Sequence, residues 1–262
     1  MHVSSDLPRW LVGCGWLALA LFTLPTISLL TQASWGSFFT ISSDHVVLDA
    51  LWLSMVVSFT SAFCAGVLGL PLAVMLTSMP TRLAASVRSI ILVPLVLPPV
   101  ATGVGLLAAF GRQGIAGKLF GFGLSNTTAG AILASTIVSM PFLVLSVEGA
   151  IRTADEEFRD AAATLGASPG RQLRHVTLPL TKRAVVAGLV LAWARSLGEF
   201  GATITFAGNI QGVTRTLPLQ IALSLEQDRD QALMLSVIMV LISLLVMVVL
   251  RRGWAGAFSA RR

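Results

Sequence analysis

Arg195 and Glu199 are the only ionisable residues in the apolar stretch LVLAWARSLGEFGATITF. They are spaced four apart, so a continuous helix would put both side chains on one face. A charged group among lipid chains costs several kcal/mol unless it is paired or wetted, so that face must point inward. Two roles fit the pair. It locks this helix to a neighbour, or it lines or gates a polar route together with Ser196, Gly198, Gly201 and Thr203. Small residues such as Gly198, Gly201 and Ala202 also permit close helix approach.

Other chemistry is missing from the pattern. Catalysis in a membrane enzyme needs nucleophiles and acid–base groups in or beside the spans, and no Ser–His pair, Asp pair or metal-ligand cluster occurs there. His2, His45 and His175 are far apart. Cys14 and Cys64 sit in apolar runs with no second ligand at metal or redox spacing. GRQGIAGKL, residues 111–119, approaches a phosphate loop but has Arg112 where the first Gly belongs and Leu119 in place of Ser or Thr. No catalytic residue, cofactor or metal is expected, and energy for any pumping must come from a partner.

The elements that position these residues are membrane spans. Of 262 residues, 55% are hydrophobic and 11% charged, against about 25% charged in a soluble domain. Mean hydropathy is +0.84. Six apolar runs approach or exceed the ~20 residues that cross a bilayer: 10–30, 46–79, 90–110, 127–147, 184–206 and 233–250. The first is longer than a signal-peptide core and contains Pro25, which favours an uncleaved helix. Prolines at 71, 94, 98, 99 and 141 punctuate the spans. LVPLVLPPVATGVG, residues 92–105, cannot form one straight helix, because each proline removes an N–H and clashes with the preceding turn.

Lys and Arg set the orientation. With the N-terminus in the cytoplasm, thirteen of the eighteen fall in inner segments and four in outer loops, while Arg195 lies inside the fifth span. Both termini are therefore expected in the cytoplasm. The net charge of +6 follows from this arrangement, so no nucleic-acid partner is expected. Residues 111–126 and 206–232 form outer loops, with apolar pieces that dip toward the bilayer.

The longest inner segment, 152–183, reads RTADEEFRDAAATLGASPGRQLRHVTLPLTKR. Helix formers lead to Gly166, a C-terminal stop signal, and Pro169–Gly170 form a turn. Two short helices are expected, one ending at Gly166 and one over 171–176 before Pro179.

This segment resembles the cytoplasmic motif of binding-protein-dependent importer permeases: Glu-Ala-Ala, three residues, Gly, nine residues, then Ile-x-Leu-Pro. Asp160, Ala161, Ala162, Gly166, Val176, Leu178 and Pro179 occupy those places, with Asp160 standing for Glu and Val176 for Ile. The resemblance implies a short helix docking on an ATP-hydrolysing subunit through Asp160, Ala161, Ala162, Leu165, Gly166, Ala167, Ser168 and Pro169. WARSLGEFGATITFAGNIQGVTRTLPLQI, 193–221, and LVPLVLPPVATGVGLLAAFGRQGIAG, 92–117, are similar to molybdate permeases. Sulfate permeases share Gly198-Glu199-Phe200-Gly201 and Gly208-Asn209-Ile210 but are less alike around 203–206 and 214–218.

The resemblance implies an all-α integral membrane protein with the MetI-like type I ABC importer permease fold. Residues 1–45 would form a first helix and outer loop, and residues 46–262 the core transmembrane domain. Its expected setting is a bacterial plasma membrane, and its expected partners are an ATPase dimer, an extracytoplasmic molybdate-binding protein and a second copy of itself. Asn209, Thr214 and Arg215, with Gln211 and Thr216 nearby, either contact that binding protein or form a solvated loop. The expected cargo is molybdate or tungstate. Sulfate or thiosulfate import and an ion-coupled secondary transporter are the alternatives.

Overall fold

A computed structural model of the chain describes residues 8–153, 162 and 164–258. The described residues form helices and connecting turns. Helix α1 (Arg9–Gln32) buries none of its residues and leans on the last helix. A short turn and α2 (Phe38–Ser42) lead to α3 (His45–Ser78), whose start is capped by Asp44 accepting from Val46 N at 2.9 Å. Its 34 residues span about 51 Å at 1.5 Å per residue, well beyond the ~30 Å hydrocarbon core.

The third apolar run is a bent pair. Helix α4 (Thr81–Val96) meets α5 (Pro99–Phe110), which continues through α6 (Ile115–Phe120), at 114°. Leu97 and Pro98 are both extended there. Two consecutive prolines supply no N–H to carry the helix across, and each pushes the residue before it out of helical geometry. The span also starts earlier than the apolar run does, because α4 begins at Thr81 and takes in Arg82 and Arg88.

Helix α7 (Thr128–Thr153) is the centre of the bundle, with 61% of its apolar window buried. It packs most extensively on α3 and on α8 (Gly170–Leu197). Small polar residues line this core. Ser61 Oγ donates to Ile132 O at 3.0 Å across α3 and α7, and Ser146 Oγ donates to Ala184 O at 3.0 Å across α7 and α8. Such bonds, with Gly and Ala at the contacts, replace the hydrophobic drive that is absent inside a membrane.

Two expectations about α8 are corrected. The short helix expected over 171–176 is not separate: a wide turn at Leu173–Thr177 joins it directly to the helix beginning at Leu178. Pro179 follows directly on the wide turn, as the second residue of the regular helix. The fifth span is also not one helix over 184–206. Helix α8 stops at Leu197, and a separate α9 (Gly201–Ala207) follows. Beyond it, α10 (Leu217–Gln227) packs on α3 and on α11 (Arg229–Phe258). Among the described residues there are thus five long apolar helices and one bent pair, which make six spans if the pair counts as one.

Candidate functional site

Gly198 closes the end of α8, and the chain turns through Glu199 and Phe200 before α9 begins. Glu199 therefore lies off the helix that carries Arg195. The ion pair forms across the break, with Arg195 Nη1 to Glu199 Oε2 at 2.6 Å. The other carboxylate oxygen accepts from Ala202 N at 2.8 Å and so satisfies a free amide at the start of α9. The Glu199 side chain is 1% exposed and that of Arg195 29%. One carboxylate thus staples two helix fragments and neutralises a guanidinium that stays partly open.

This break touches the other one. A Cβ added to Gly201 would stand 2.5 Å from Pro99 Cβ, and one added to Gly103 would stand 2.5 Å from Thr205 Cβ and 3.0 Å from Ala202 O. Helices α5 and α9 therefore run in near-backbone contact, starting together at Pro99 and Gly201. Only glycine fits at these two positions. Around the junction, Thr102, Ser196 and Thr203 are buried with hydroxyls that have no protein partner. A buried unpaired hydroxyl costs about 1–3 kcal/mol, so these three groups carry unmet hydrogen-bonding capacity at the junction. Of the residues expected beside the pair, Ser196, Gly201 and Thr203 are buried and Gly198 is exposed.

The turn after α9 is tightly built. Arg215 Nε donates to Asn209 Oδ1 at 2.8 Å, and Thr214 Oγ1 accepts from Ile210 N at 2.9 Å. Thr128 Oγ1 fastens it to α7 by donating to Val213 O at 2.8 Å. Thr214 is 0% exposed and Thr216 5%. Both are thus buried within the turn, Thr214 as an internal prop and Thr216 with a hydroxyl that has no protein partner. Asn209 and Arg215 are half-buried and bound to each other. The surface passes to Ile210, Gln211, Gly212 and Val213, of which Gln211 alone was among the expected contacts.

In the polar segment, Asp160 and Ala161 lie outside the described residues. From Ala162 the geometry is that of a helix end. Ala167 N donates to Ala162 O at 2.9 Å, and Gly166 is left-handed at φ +76°. This six-to-one bond over a left-handed glycine is the Schellman stop. Gln172 Nε2 then donates to Ala167 O at 3.1 Å and ties the stop to the start of α8. Ala167 is half-buried and Ser168 exposed. Leu165 is 88% exposed on this otherwise polar turn.

One site was not foreseen. Glu148 on α7 is 3% exposed and is held by Arg88 and Arg152. A lone acid in an apolar run with Arg four residues on was the available signal. Its second partner, Arg88, is sixty residues away.

Relatives agree with this architecture. The chain is 45% identical over 249 residues to the molybdenum transport system permease protein ModB of Mycobacterium tuberculosis, covering 94% of each. It is 31% identical to the sulfate transport system permease protein CysT of Salmonella typhimurium, covering 76% of this chain and 73% of that one. Its fold matches a bacterial ABC transporter involved in the import of the polysaccharide alginate, with a TM-score of 0.73, 14% identity, and 97% of this chain and 96% of that one covered. The sequence profile of the binding-protein-dependent transport system inner membrane components matches residues 65–262, and the chain belongs to that family.

Proposed function

We propose that this chain is the membrane-spanning subunit of an ATP-driven importer that carries molybdate or tungstate into a bacterial cytoplasm. The observation that carries the reading is the 45% identity to a molybdenum permease along 94% of both chains. The geometry supplies the parts such a machine needs. The exposed Leu165 on a rigid Schellman turn is an apolar knob outside the membrane, suited to a groove on an ATPase subunit. Asp160 and Ala161 belong to the same motif.

In this reading both termini face the cytoplasm, and the turn at 209–215 faces outward toward a binding protein. Residues 46–262 translocate, while 1–45 add a peripheral span. Two copies pair, each bound to its own ATPase subunit. Arg195 stands twelve residues beyond Arg183, about 18 Å along the helix, which places it deep in the bilayer. A dianion crossing there meets an environment where charge is costly. Glu199, already neutralised, does not repel it, and Arg195 with the unpaired hydroxyls of Ser196, Thr102 and Thr203 offers donors.

The test is uptake of radiolabelled molybdate, tungstate and sulfate into vesicles holding this chain with its ATPase and binding protein. Saturable, ATP-dependent uptake of molybdate over sulfate is expected. Sulfate uptake without molybdate would move the chain to the sulfate branch, where the 31% identical relative stands. Ion-driven uptake by this chain without an ATPase would make it a secondary transporter.

A further inference from the structure

Glu148 is the only carboxylate on α7, and it is nearly sealed from solvent. Arg88 of α4 grips both of its oxygens, Nε at 3.1 Å from Oε2 and Nη2 at 2.5 Å from Oε1. Arg152, one helical turn further along α7, adds Nε at 2.9 Å from Oε1. The guanidinium groups stay partly open, with the Arg88 side chain 33% exposed and that of Arg152 47%.

Packing alone does not call for this arrangement. A buried ion pair must first strip its charges of water, so by itself it adds little net stability. A charged tie fixes which residues meet, and it leaves a carboxylate stranded if they part. Here it fixes α4, a helix that fully buries only Ala84 and is otherwise weakly anchored.

The tie joins two parts of the machine. Arg152 lies in the last turn of α7, directly before the polar segment that follows Thr153. Arg88 lies on the first arm of the bent span. The second arm, α5, abuts α9 at Pro99 and Gly201, beside Glu199 and Arg195. A line made of the ion pairs, the chain through the bend and the α5–α9 contact therefore runs from the end of α7 to the Arg195–Glu199 pair.

We infer that Arg88, Glu148 and Arg152 form a clamp that passes movement of the polar segment into the bent span, with Glu148 as a positioning residue for transport. This rests on the proposal that the polar segment engages an ATPase. Contiguity alone makes a route and not a coupling, so the clamp is tested by coupling. The full complex is reconstituted in proteoliposomes, and ATP hydrolysis and radiolabelled molybdate uptake are read in parallel for Arg88→Met, Arg88→Lys, Glu148→Gln and the double variant Arg88→Met/Glu148→Gln.

Arg88→Met leaves Glu148 paired with Arg152, so the complex assembles and still hydrolyses ATP. Molybdate delivered per ATP is expected to fall about tenfold, the double variant to be no worse than the worse single one, and Arg88→Lys to recover part of the ratio. An unchanged ratio in Arg88→Met would overturn the clamp. So would losses that add in the double variant, or loss of assembly in Arg88→Met, since each assigns these residues to folding or to separate roles. A wild-type complex that neither hydrolyses ATP nor takes up molybdate would instead sink the importer reading, and it would do so before any variant is made.

Discussion

Glu199 and Glu148 are both buried carboxylates held by arginine, and they are held in opposite ways. Glu199 has one arginine, four residues earlier in the chain, and spends its second oxygen on the backbone of Ala202. Glu148 has two arginines, one four residues later and one sixty residues earlier on another helix. The order matters. Acid before base is the better arrangement at this spacing on a helix, and base before acid the poorer one. In keeping with that, α7 runs unbroken through Glu148 and Arg152, while α8 ends between Arg195 and Glu199. The first carboxylate staples a local break. The second ties distant elements and leaves one net positive charge. The same chemistry thus makes a joint in one place and a clamp in the other.

Substitutions that separate the two carboxylates by size of effect would break or sharpen this contrast. Glu199→Ala should do most damage. It strands Arg195 inside the membrane and frees the Ala202 amide, a loss of about 3–5 kcal/mol for a broken buried pair. Recovery of monodisperse protein in detergent should collapse, and uptake with it; normal uptake would show that the joint is dispensable. Next is Gly201→Ala, which forces a methyl to within 2.5 Å of Pro99. Overpacking of this kind costs about 1–3 kcal/mol and should lower the melting temperature in a thermal-shift assay. An unchanged midpoint would mean that the two breaks do not meet as described.

A smaller effect is expected from Thr214→Val, which removes the acceptor for Ile210 N at a fully buried position. The expected cost is about 1–2 kcal/mol, read as faster proteolysis of the turn at 209–215. Gln211→Ala, at an exposed position of the same turn, should leave proteolysis unchanged. Equal sensitivity of the two would undo the assignment of Thr214 as a prop. Least is expected from Arg152→Met. Its side chain is half exposed, and a solvent-screened partner contributes only a few tenths of a kcal/mol. The melting temperature should hardly move, because Arg88 still holds Glu148. A drop as large as that for Gly201→Ala would make Arg152 the main partner of Glu148.

Much of the fold was legible because a bilayer restricts the choices. Apolar runs of spanning length, the proline pair at 98–99 and Gly166 each act through local rules, and the structure places spans, a bend and a helix stop where those rules do. The fifth span was misread because nothing local forbids a helix through Gly198 and Glu199. It ends because Glu199 turns back to Ala202 while Gly201 presses on Pro99, a hundred residues away in the chain. The place of Thr214 inside the turn was not legible, because hydroxyls look alike in sequence whether they face water or hold a turn.

The sequence by itself determined the medium, the number of spans, the family motif and the pairing of Arg195 with Glu199. These depend on composition and on spacings of a few residues, which hold neighbouring groups within reach whether the helix runs on or, as between Arg195 and Glu199, breaks. Only the tertiary structure decided that the two helix breaks lie against each other, that Thr214 is internal and that Arg88 reaches Glu148. Those outcomes depend on how close two backbones can come, and close approach is a property of the packed pair and of neither strand of sequence alone.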